Sequence, residues 1–358
     1  MDYFILSKMQ ITKVSESRIH QVDFEHISFG SIFSDHMVQA TFENGKWNQP
    51  EIIPYGDFKI SPAANVFHYG QAVFEGMKSY KDKNGNILLF RPNDHCHRLQ
   101  KSAKRLQIPP VPSEYFFQGL EELLKLDSHW IKSGVGNSLY VRPFIIGDSP
   151  EIQAAPSNIF KFMIICSPAK SYYDETHQIK VLVNTQHSRA AVGGVGYVKA
   201  AGNYGAQFFP TQLAIEQGYQ QIIWTDSTSR QYIEESGTMN LFFRIHDTLL
   251  TPPISDRILD GITRKSVIQI ADDLKIPVEI RPIKISEIIQ ASDDGSLKEI
   301  FGTGTAVVIC PIAELSYQNK HYIANWPMDT YAQKIKKIIT DIQYNLTNDP
   351  YGWRYHVT

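Results

Sequence analysis

Apolar and polar residues alternate in the first quarter of the chain with the two-residue period of β-strands. In HMVQATFENGKWNQPEIIPYG (residues 36–56), two alternating segments flank an Asn-Gly pair, which favours the tight turn of a hairpin. GMKSYKDKNGNILLF (residues 76–90) repeats this arrangement. We therefore predict two β-hairpins in this part of the chain.

A helical period follows the hairpins. In PNDHCHRLQKSAKRLQI (residues 92–108), Leu99, Ala103 and Leu106 fall on one face of a helix. The segment SEYFFQGLEELLKLDSHWIKSG predicts a second helix along the whole of residues 113–134. Further helices are predicted in two segments of the second half, residues 203–218 and 263–274.

Longer apolar runs predict buried strands at residues 137–147, 159–169 and 179–185. Strands and helices intermingle without a regular β-α-β period. This order favours an α+β fold over a doubly wound parallel sheet.

The length of 358 residues is sufficient for two domains with separate cores. A polar, proline-containing stretch, SPAKSYYDETHQ, separates two β-rich runs. We predict a small N-terminal α+β domain over residues 1–170, an interdomain linker over residues 171–186 and a large C-terminal domain over residues 187–358.

Composition excludes several classes of protein. The net charge is −2, so no overall field attracts nucleic acid or an anionic membrane. No apolar run approaches the length of about 20 residues that spans a bilayer, and the N-terminus does not resemble a signal peptide. Three widely spaced cysteines argue against a disulfide framework and favour a reducing compartment. We therefore expect a cytoplasmic protein that binds neither nucleic acid nor membrane.

One lysine lies among unusually small residues. In GGVGYVKAAGNYGA (residues 193–206), glycines and alanines surround Lys199. Such a stretch is commonly a turn in which the lysine is a solvated charge. Small residues also allow a planar ligand to approach the backbone, and a desolvated amine there is a nucleophile.

Two glycine-containing segments could bind an anion. In LDGITRKS (residues 259–266), Gly261 precedes a predicted helix whose first N–H groups could bind a phosphate; a simple helix cap is the alternative. In FGTGTAVV (residues 301–308), successive N–H groups could do the same, or the segment is a plain turn. Neither segment matches a dinucleotide fingerprint or a P-loop.

Charged residues within apolar segments complete the candidate chemistry. YIEESGTMNLFF contains Glu234 and Glu235, and a carboxylate at this place could keep a heteroaromatic nitrogen protonated. The residues alone do not distinguish between the two. Arg142 lies inside the apolar YVRPF and would need an anionic partner. His95, Cys96 and His97 are adjacent and lack distant partners, which argues against a metal site.

A lysine among small residues, a carboxylate at a strand end, two anion-binding turns and isolated arginines are together the components of a pyridoxal 5′-phosphate site. That cofactor needs a lysine, an acidic partner for its ring nitrogen and a phosphate cradle. The combination predicts the cofactor more specifically than any one component.

Seven segments in order resemble the branched-chain amino acid aminotransferases: FHYGQAVFEGMKSY, LFRPNDHCHRL, LYVRPFIIG, RAAVGGVGYVKAAGNYGA, EESGTMNLFF, LDGITRKS and FGTGTA. The resemblance extends from about residue 25 to the closing WRYHV. It implies a two-domain D-amino-acid-aminotransferase-like fold (fold type IV), a C-terminal domain that binds pyridoxal phosphate, and a homodimer. The implied reaction is transamination between branched-chain L-amino acids and 2-oxoglutarate.

The resemblance also implies roles for particular residues. Lys199 matches the Schiff-base lysine that moves the α-proton, and Glu235 matches the partner of the pyridine nitrogen. The implied phosphate contacts are Arg98, Ile262, Thr263 and Thr305. Tyr204 matches a contact to the hydroxyl of the cofactor, and Leu259 matches the residue that packs on its ring.

The implied substrate pocket has three parts. The side-chain pocket is matched by Tyr69, Phe74, Tyr140 and Thr238. Thr305 and Ala306 match the N–H donors to the substrate α-carboxylate, and Arg142 matches a residue that receives the distal carboxylate of glutamate.

Two other functions compete with this interpretation. A D-amino acid aminotransferase or an aminodeoxychorismate lyase of the same fold type would share the lysine and the glutamate. The segments FHYGQAVFEG and GTGTA favour the branched-chain enzyme. A metabolite-binding protein without catalytic activity would leave Lys199 as an ordinary charge.

Overall fold

The computed structural model describes residues 8–170 and 178–358. Contacts divide the chain into two compact units. Unit 1 comprises Met1–Lys170 with Pro350–Thr358, and unit 2 comprises Ser171–Asp349. Each unit contains a ten-stranded sheet with helices, so the predicted α+β class is confirmed.

The described strands are β1 (Gln10–Ile11), β2 (His36–Glu43), β3 (Lys46–Trp47), β4 (Glu51–Pro54), β5 (Ala72–Phe74), β6 (Met77–Lys81), β7 (Ile87–Phe90), β8 (Ser138–Gly147), β9 (Phe160–Ala169), β10 (Ile179–Asn184), β11 (Gln221–Thr225), β12 (Tyr232–Ser236), β13 (Met239–Ile245), β14 (Thr248–Thr251), β15 (Val278–Ile280), β16 (Ile283–Lys284), β17 (Leu297–Gly304), β18 (Val308–Tyr317), β19 (Lys320–Ile323) and β20 (Arg354–His356). The helices are α1 (Asn65–Tyr69), α2 (Pro92–Arg105), α3 (Ser113–Leu126), α4 (Gly202–Gly205), α5 (Phe208–Glu216), α6 (Ile262–Asp273), α7 (Ile285–Asp293) and α8 (Tyr331–Gln343). Two short 3-10 helices cover Ile19–Gln21 and Ser128–Trp130.

The sheet of unit 1 has the order β1-β4-β2-β9-β8-β6-β7-β20, with β3 paired to β2 and β5 to β8. Both predicted hairpins are present. The first turns at Asn44 and Gly45, which both have a positive φ, as a tight turn between antiparallel strands requires. The long strands β8 and β9 pair along ten positions and form the centre of the sheet.

Helices α2 and α3 cover the core of unit 1. Leu99 and Ala103 are buried on one face of α2, as predicted, whereas Leu106 follows the helix as its C-cap. Helix α3 begins at Ser113 but ends at Leu126, earlier than predicted. The next residue, Asp127, is buried and binds both the backbone N–H and the imidazole of His36, which stops the helix there.

The sheet of unit 2 has the order β15-β14-β13-β17-β18-β10-β11-β12-β16, with β19 paired to β18. An additional pairing of β12 with β13 closes six of these strands into a ring. Two helices, α4 and α5, replace the single helix predicted at residues 203–218, and residues 206 and 207 separate them.

Two bounds of the predicted domains differ from these units. The final nine residues, 350–358, belong to unit 1 because β20 pairs with β7 and Tyr355 packs against Phe117. The predicted linker included β10, which instead pairs with β11 and β18 in the sheet of unit 2. Residues 171–177 of that linker lie outside the described residues.

Removing a buried aromatic ring from the first turn of α3 tests the core of unit 1. Phe116 is fully buried, so Phe116→Ala should lower the free energy of unfolding by about 3–5 kcal/mol. Lys125→Ala on the exposed side of the same helix should change it by no more than about 0.5 kcal/mol. Urea unfolding followed by circular dichroism measures both; equal midpoints for the two variants would contradict this packing.

Candidate active site

Lys199 lies three residues before α4, in the glycine-rich segment that follows β10. Its Nζ donates to the hydroxyl of Tyr204, a residue of α4, at 2.7 Å. The preceding segment is held by Asn203, whose amide donates to Val195 O and Val198 O. The lysine therefore extends from a fixed backbone, which argues against a solvated charge in a loose turn.

The glycines near Lys199 allow a close approach of two segments. A Cβ at Gly196 would lie 2.6 Å from the carbonyl oxygen of Arg257 and from Cβ of Ala190. The segment that carries Lys199 is thereby packed against the segment that carries Leu259. No larger residue at position 196 could occupy this backbone position without displacing its neighbours.

Glu235 lies near the end of β12, beside the hairpin that joins β12 to β13. It is 3% exposed, and Nε of Arg189 lies 2.5 Å from its Oε1. Its Oε2 accepts from Leu259 N at 3.1 Å. Burial raises the pKa of Glu235 to about 7, although the positive charge of Arg189 and the Leu259 hydrogen bond act in the opposite direction.

The neighbouring Glu234 is also buried but has a different partner, Arg257. Burial raises the pKa of the Glu234 carboxyl as well. Glu235, rather than Glu234, lines a pocket together with Tyr204 and Leu259. This geometry separates the two carboxylates that the residues alone left undistinguished.

Helix α6 begins at Ile262, directly after Gly261. The Asn240 amide oxygen lies 1.8 Å from where a Cβ of Gly261 would be, so glycine is required there. The Asn240 amide nitrogen donates to Leu259 O at 2.9 Å. The first N–H groups of a helix have no intrahelical acceptors, so those of Ile262 and Thr263 are suited to an anion.

Thr305 and Ala306 lie in the turn that joins β17 to β18, where Gly304 pairs with Val308. On the preceding rung of the sheet, Thr303 pairs with Asn240 of β13. The β17–β18 turn is thus adjacent to the start of β13, which follows the turn residue Thr238.

Seven residues of unit 2 line one pocket: Arg189, Tyr204, Glu235, Gly237, Thr238, Asn240 and Leu259. The predicted contacts Ile262, Thr263, Thr305 and Ala306 are not among them. The amine of Lys199 lies within hydrogen-bond distance of one lining residue, Tyr204. An amine, a buried carboxylate, a hydroxyl and the free start of a helix are the groups that pyridoxal phosphate requires. The residues of unit 2 therefore fit this cofactor.

Unit 1 contains an aromatic cluster around Arg142. The guanidinium lies over the rings of Phe74 at 4.5 Å and Tyr140 at 5.2 Å, and its Nη2 donates to the Tyr140 hydroxyl at 2.8 Å. Within residues 8–170 and 178–358, its buried Nε has no hydrogen-bond partner. Tyr69 makes a different contact, because its hydroxyl donates to Ile152 O.

Arg98 is part of a buried cluster in unit 1. It donates from Nε and Nη2 to the carboxylate of Glu75, which also contacts Nδ1 of His95 at 2.7 Å. Burial alone would raise the pKa of Glu75, but Arg98 and His95 hold it well below its usual range. Sequence reasoning missed Glu75, because nothing in VFEG indicates a partner 23 residues away.

Sequence reasoning also missed the roles of Arg189, Asn240 and Arg257 in unit 2. Arg189 forms an ion pair with Glu235. Arg189 is 46 residues from Glu235, and Arg257 is 23 residues from Glu234, so no local sequence pattern indicates either pair.

Comparison with known proteins identifies the family of this chain. The family model Amino-transferase class IV matches residues 72–315. Branched-chain-amino-acid aminotransferase 2 of Bacillus subtilis is 43% identical over 338 residues, which cover 94% of this chain and 93% of the relative. A probable branched-chain-amino-acid aminotransferase of Staphylococcus epidermidis is 40% identical and covers 96% of both chains.

Solved structures agree in fold. The branched-chain aminotransferase of Thermoproteus uzoniensis, solved with norvaline, has a TM-score of 0.74 and 25% identity, and the match covers 90% of this chain and 100% of that one. The Escherichia coli branched-chain amino acid aminotransferase has a TM-score of 0.73 and 25% identity, over 89% and 99% of the two chains. The predicted fold type IV is confirmed. The chain belongs to the class IV aminotransferases and, within them, to the branched-chain amino acid aminotransferases.

Proposed function

We propose that Lys199 and Glu235 are the catalytic residues of this branched-chain aminotransferase. The enzyme transfers the amino group of leucine, isoleucine or valine to 2-oxoglutarate, with pyridoxal 5′-phosphate as cofactor, and gives branched-chain 2-oxo acids and L-glutamate. The hydrogen bond between Lys199 and Tyr204, beside the buried Glu235, is the observation that carries the assignment of residues. When bound, the cofactor supplies an electron-accepting ring that makes the Cα proton of the amino acid acidic.

Lys199 acts as the base and the acid of the reaction. Its Nζ takes the Cα proton of the amino acid and would deliver a proton to the aldehyde-derived carbon of the cofactor, which requires a neutral amine at a fixed position. The Tyr204 hydroxyl, 2.7 Å from Nζ, orients the amine. The surrounding small residues leave space for the substrate on the same side.

Glu235 stabilises positive charge at the pyridine nitrogen. Its carboxylate would accept the N–H of the protonated ring, and because Glu235 is buried this interaction would be weakly screened. Leu259 would contact the ring. We propose that the N–H groups of Ile262 and Thr263, at the start of α6, bind the phosphate. The side chains of Thr305 and Arg98 contribute further contacts to it.

The substrate is bound by apolar walls and by separate anion-binding groups. We propose that the aliphatic side chain lies against Tyr69, Phe74, Tyr140 and Thr238. The N–H groups of Thr305 and Ala306 bind the α-carboxylate. Arg142 receives the distal carboxylate of glutamate, since its buried Nε lacks a partner among the described residues.

We also propose that the enzyme is a cytoplasmic homodimer. Large apolar side chains are exposed on unit 2, among them Val192 at 66%, Phe208 at 74% and Phe209 at 64%, and such groups are typical of protein interfaces. All three cysteines are buried and free, in keeping with a reducing compartment. Among the described residues, no helix is both long and apolar enough to cross a bilayer.

Replacing the amine tests the role of Lys199. Lys199→Ala should reduce kcat with L-leucine and 2-oxoglutarate by at least about a thousandfold, because it removes the proton-transfer group. The urea midpoint should stay close to that of the wild type, since the side chain is only half-buried. Formation of 4-methyl-2-oxopentanoate measures the rate; near-normal turnover would exclude Lys199 as the base.

Removing the charge at Glu235 tests its role at the ring nitrogen. Glu235→Gln keeps the size of the side chain but cannot hold the ring protonated, so kcat should fall by about a hundredfold or more. Adding 3-fluoropyridoxal phosphate, whose ring nitrogen is less basic, should slow the wild type more than the variant. Equal slowing of both proteins would show that Glu235 does not act on ring protonation.

Arg142→Met tests how one pocket binds both an aliphatic chain and a carboxylate. The variant should lower kcat/KM for L-glutamate by about ten- to a hundredfold, because a charged hydrogen bond contributes about 1.5–3 kcal/mol. The value for L-leucine should change by less than about threefold, which makes leucine the internal control. A parallel fall for both amino acids would contradict a role specific to the distal carboxylate.

A further inference from the structure

We propose that Arg189 is a positioning residue of this enzyme: its guanidinium holds the carboxylate of Glu235 in place and ties the segment that carries Lys199 to the segment that carries Leu259. The effect on catalysis rests on the roles proposed above for Lys199 and Glu235. The coupling between Arg189 and Glu235 does not, because it concerns two side chains of the chain itself.

The contact with Glu235 uses one edge of the guanidinium. Arg189 is 6% exposed, and its Nε lies 2.5 Å from Oε1 of Glu235. The other carboxylate oxygen, Oε2, accepts from Leu259 N at 3.1 Å. The Arg189 contact is an ion pair without hydrogen-bond geometry, since Nε has no hydrogen-bond partner among the described residues. The Leu259 N–H therefore orients the carboxylate by a hydrogen bond, and Arg189 acts on it through its charge. A carboxylate has about four acceptor positions, which leaves acceptor capacity for the N–H of a ring.

A second nitrogen of Arg189 contacts the backbone of two segments. Nη1 donates to Gly196 O at 3.1 Å and to Arg257 O at 2.9 Å. Gly196 is three residues before Lys199, and Arg257 is two residues before Leu259. One planar side chain therefore connects the lysine segment, the leucine segment and the glutamate strand. The fixed geometry of a guanidinium allows this, and the single ammonium of a lysine cannot make all these contacts.

The charges around Glu235 make Arg189 the important compensating group. Burial raises the pKa of Glu235, the adjacent Glu234 raises it further, and Arg189 is the largest influence that lowers it, with a smaller one from Lys199. The negative charge of Glu234 is itself matched by Arg257. Without Arg189, Glu235 would be a buried carboxylate beside a second carboxylate, and it would take up a proton.

A protonated Glu235 would change the reaction. A neutral carboxyl group no longer offers a negative charge to the pyridine nitrogen, so it would stabilise the protonated ring less. Catalysis would then depend on deprotonating Glu235 first. Loss of Arg189 should therefore move the pH dependence of the enzyme and lower its rate at neutral pH.

The first experiment is a carbon-13 NMR titration of the cofactor-free full chain labelled at the glutamate carboxyl carbon, with the Glu235 signal assigned by its loss in Glu235→Gln. In Arg189→Met, the titration midpoint of Glu235 should rise by about one pH unit or more relative to the wild type. In Arg189→Lys, which keeps the charge, it should stay within about half a pH unit. Arg257→Met is the matched control and should move the Glu234 signal more than that of Glu235.

An unchanged Glu235 midpoint in a folded Arg189→Met protein would overturn the proposal. If that variant does not fold, Arg189→Gln provides a second uncharged side chain that retains N–H donors, and the same rise is expected and the same unchanged midpoint would overturn it. Circular dichroism establishes which variants are folded.

The second experiment uses the cofactor-loaded enzymes with L-leucine. The rise of kcat with pH should move to higher pH in Arg189→Met, and Arg189→Lys should restore the position of the profile but not the full rate, because it cannot bind both carbonyls. A variant with lower kcat at every pH and an unmoved profile would reduce Arg189 to a purely structural role. If the Glu235 midpoint rises in Arg189→Met as expected but the wild-type enzyme shows no transamination, the proposed function is contradicted. The electrostatic interaction between Arg189 and Glu235 is then still supported.

Discussion

The need to keep a negative charge in a buried site dominates the structure of unit 2. Glu235 is nearly inaccessible to water, and an uncompensated carboxylate there would cost several kcal/mol and become protonated. Arg189 and the backbone N–H of Leu259 compensate this charge from segments distant in sequence. One carboxylate and one guanidinium thus connect the glutamate strand, the lysine segment and the leucine segment.

The closed ring of strands supplies the rigid support for these contacts. Pairing of β12 with β13 places Glu235 opposite Asn240, and pairing of β13 with β17 places Asn240 opposite Thr303. The β12–β13 and β17–β18 turns are therefore neighbours. Asn240 also binds Leu259 O and occupies the space that a side chain at position 261 would need. The Asn240 amide thus contacts both the leucine segment and the start of α6, and the backbone of Asn240 pairs with that of Glu235.

Local patterns in the sequence predicted local structure well. Asn44-Gly45 predicted a hairpin because Asn-Gly favours the tight turns that match the twist of antiparallel strands. Leu99 and Ala103 predicted the buried face of α2. The prediction of a longer α3 was wrong because Asp127 binds His36, 91 residues away. Likewise, the three residues of β20 are too short to show a period, and their partner β7 is far earlier in the chain. Within the site, local sequence predicted Lys199 and the glycine-containing turns. It did not predict the ion pairs Arg189–Glu235, Arg257–Glu234 and Arg98–Glu75, because these depend on contacts between residues distant in the chain.

We propose that the cofactor binds covalently to Lys199, in a site organised around Glu235. Borohydride reduction of the cofactor-loaded enzyme, followed by proteolysis and mass spectrometry, tests this directly because reduction makes the link between lysine and cofactor permanent. We expect a phosphopyridoxyl group on the peptide that contains Lys199, and we expect it to be absent when L-leucine is added before reduction. Modification of a different lysine, with Lys199 unmodified, would contradict it.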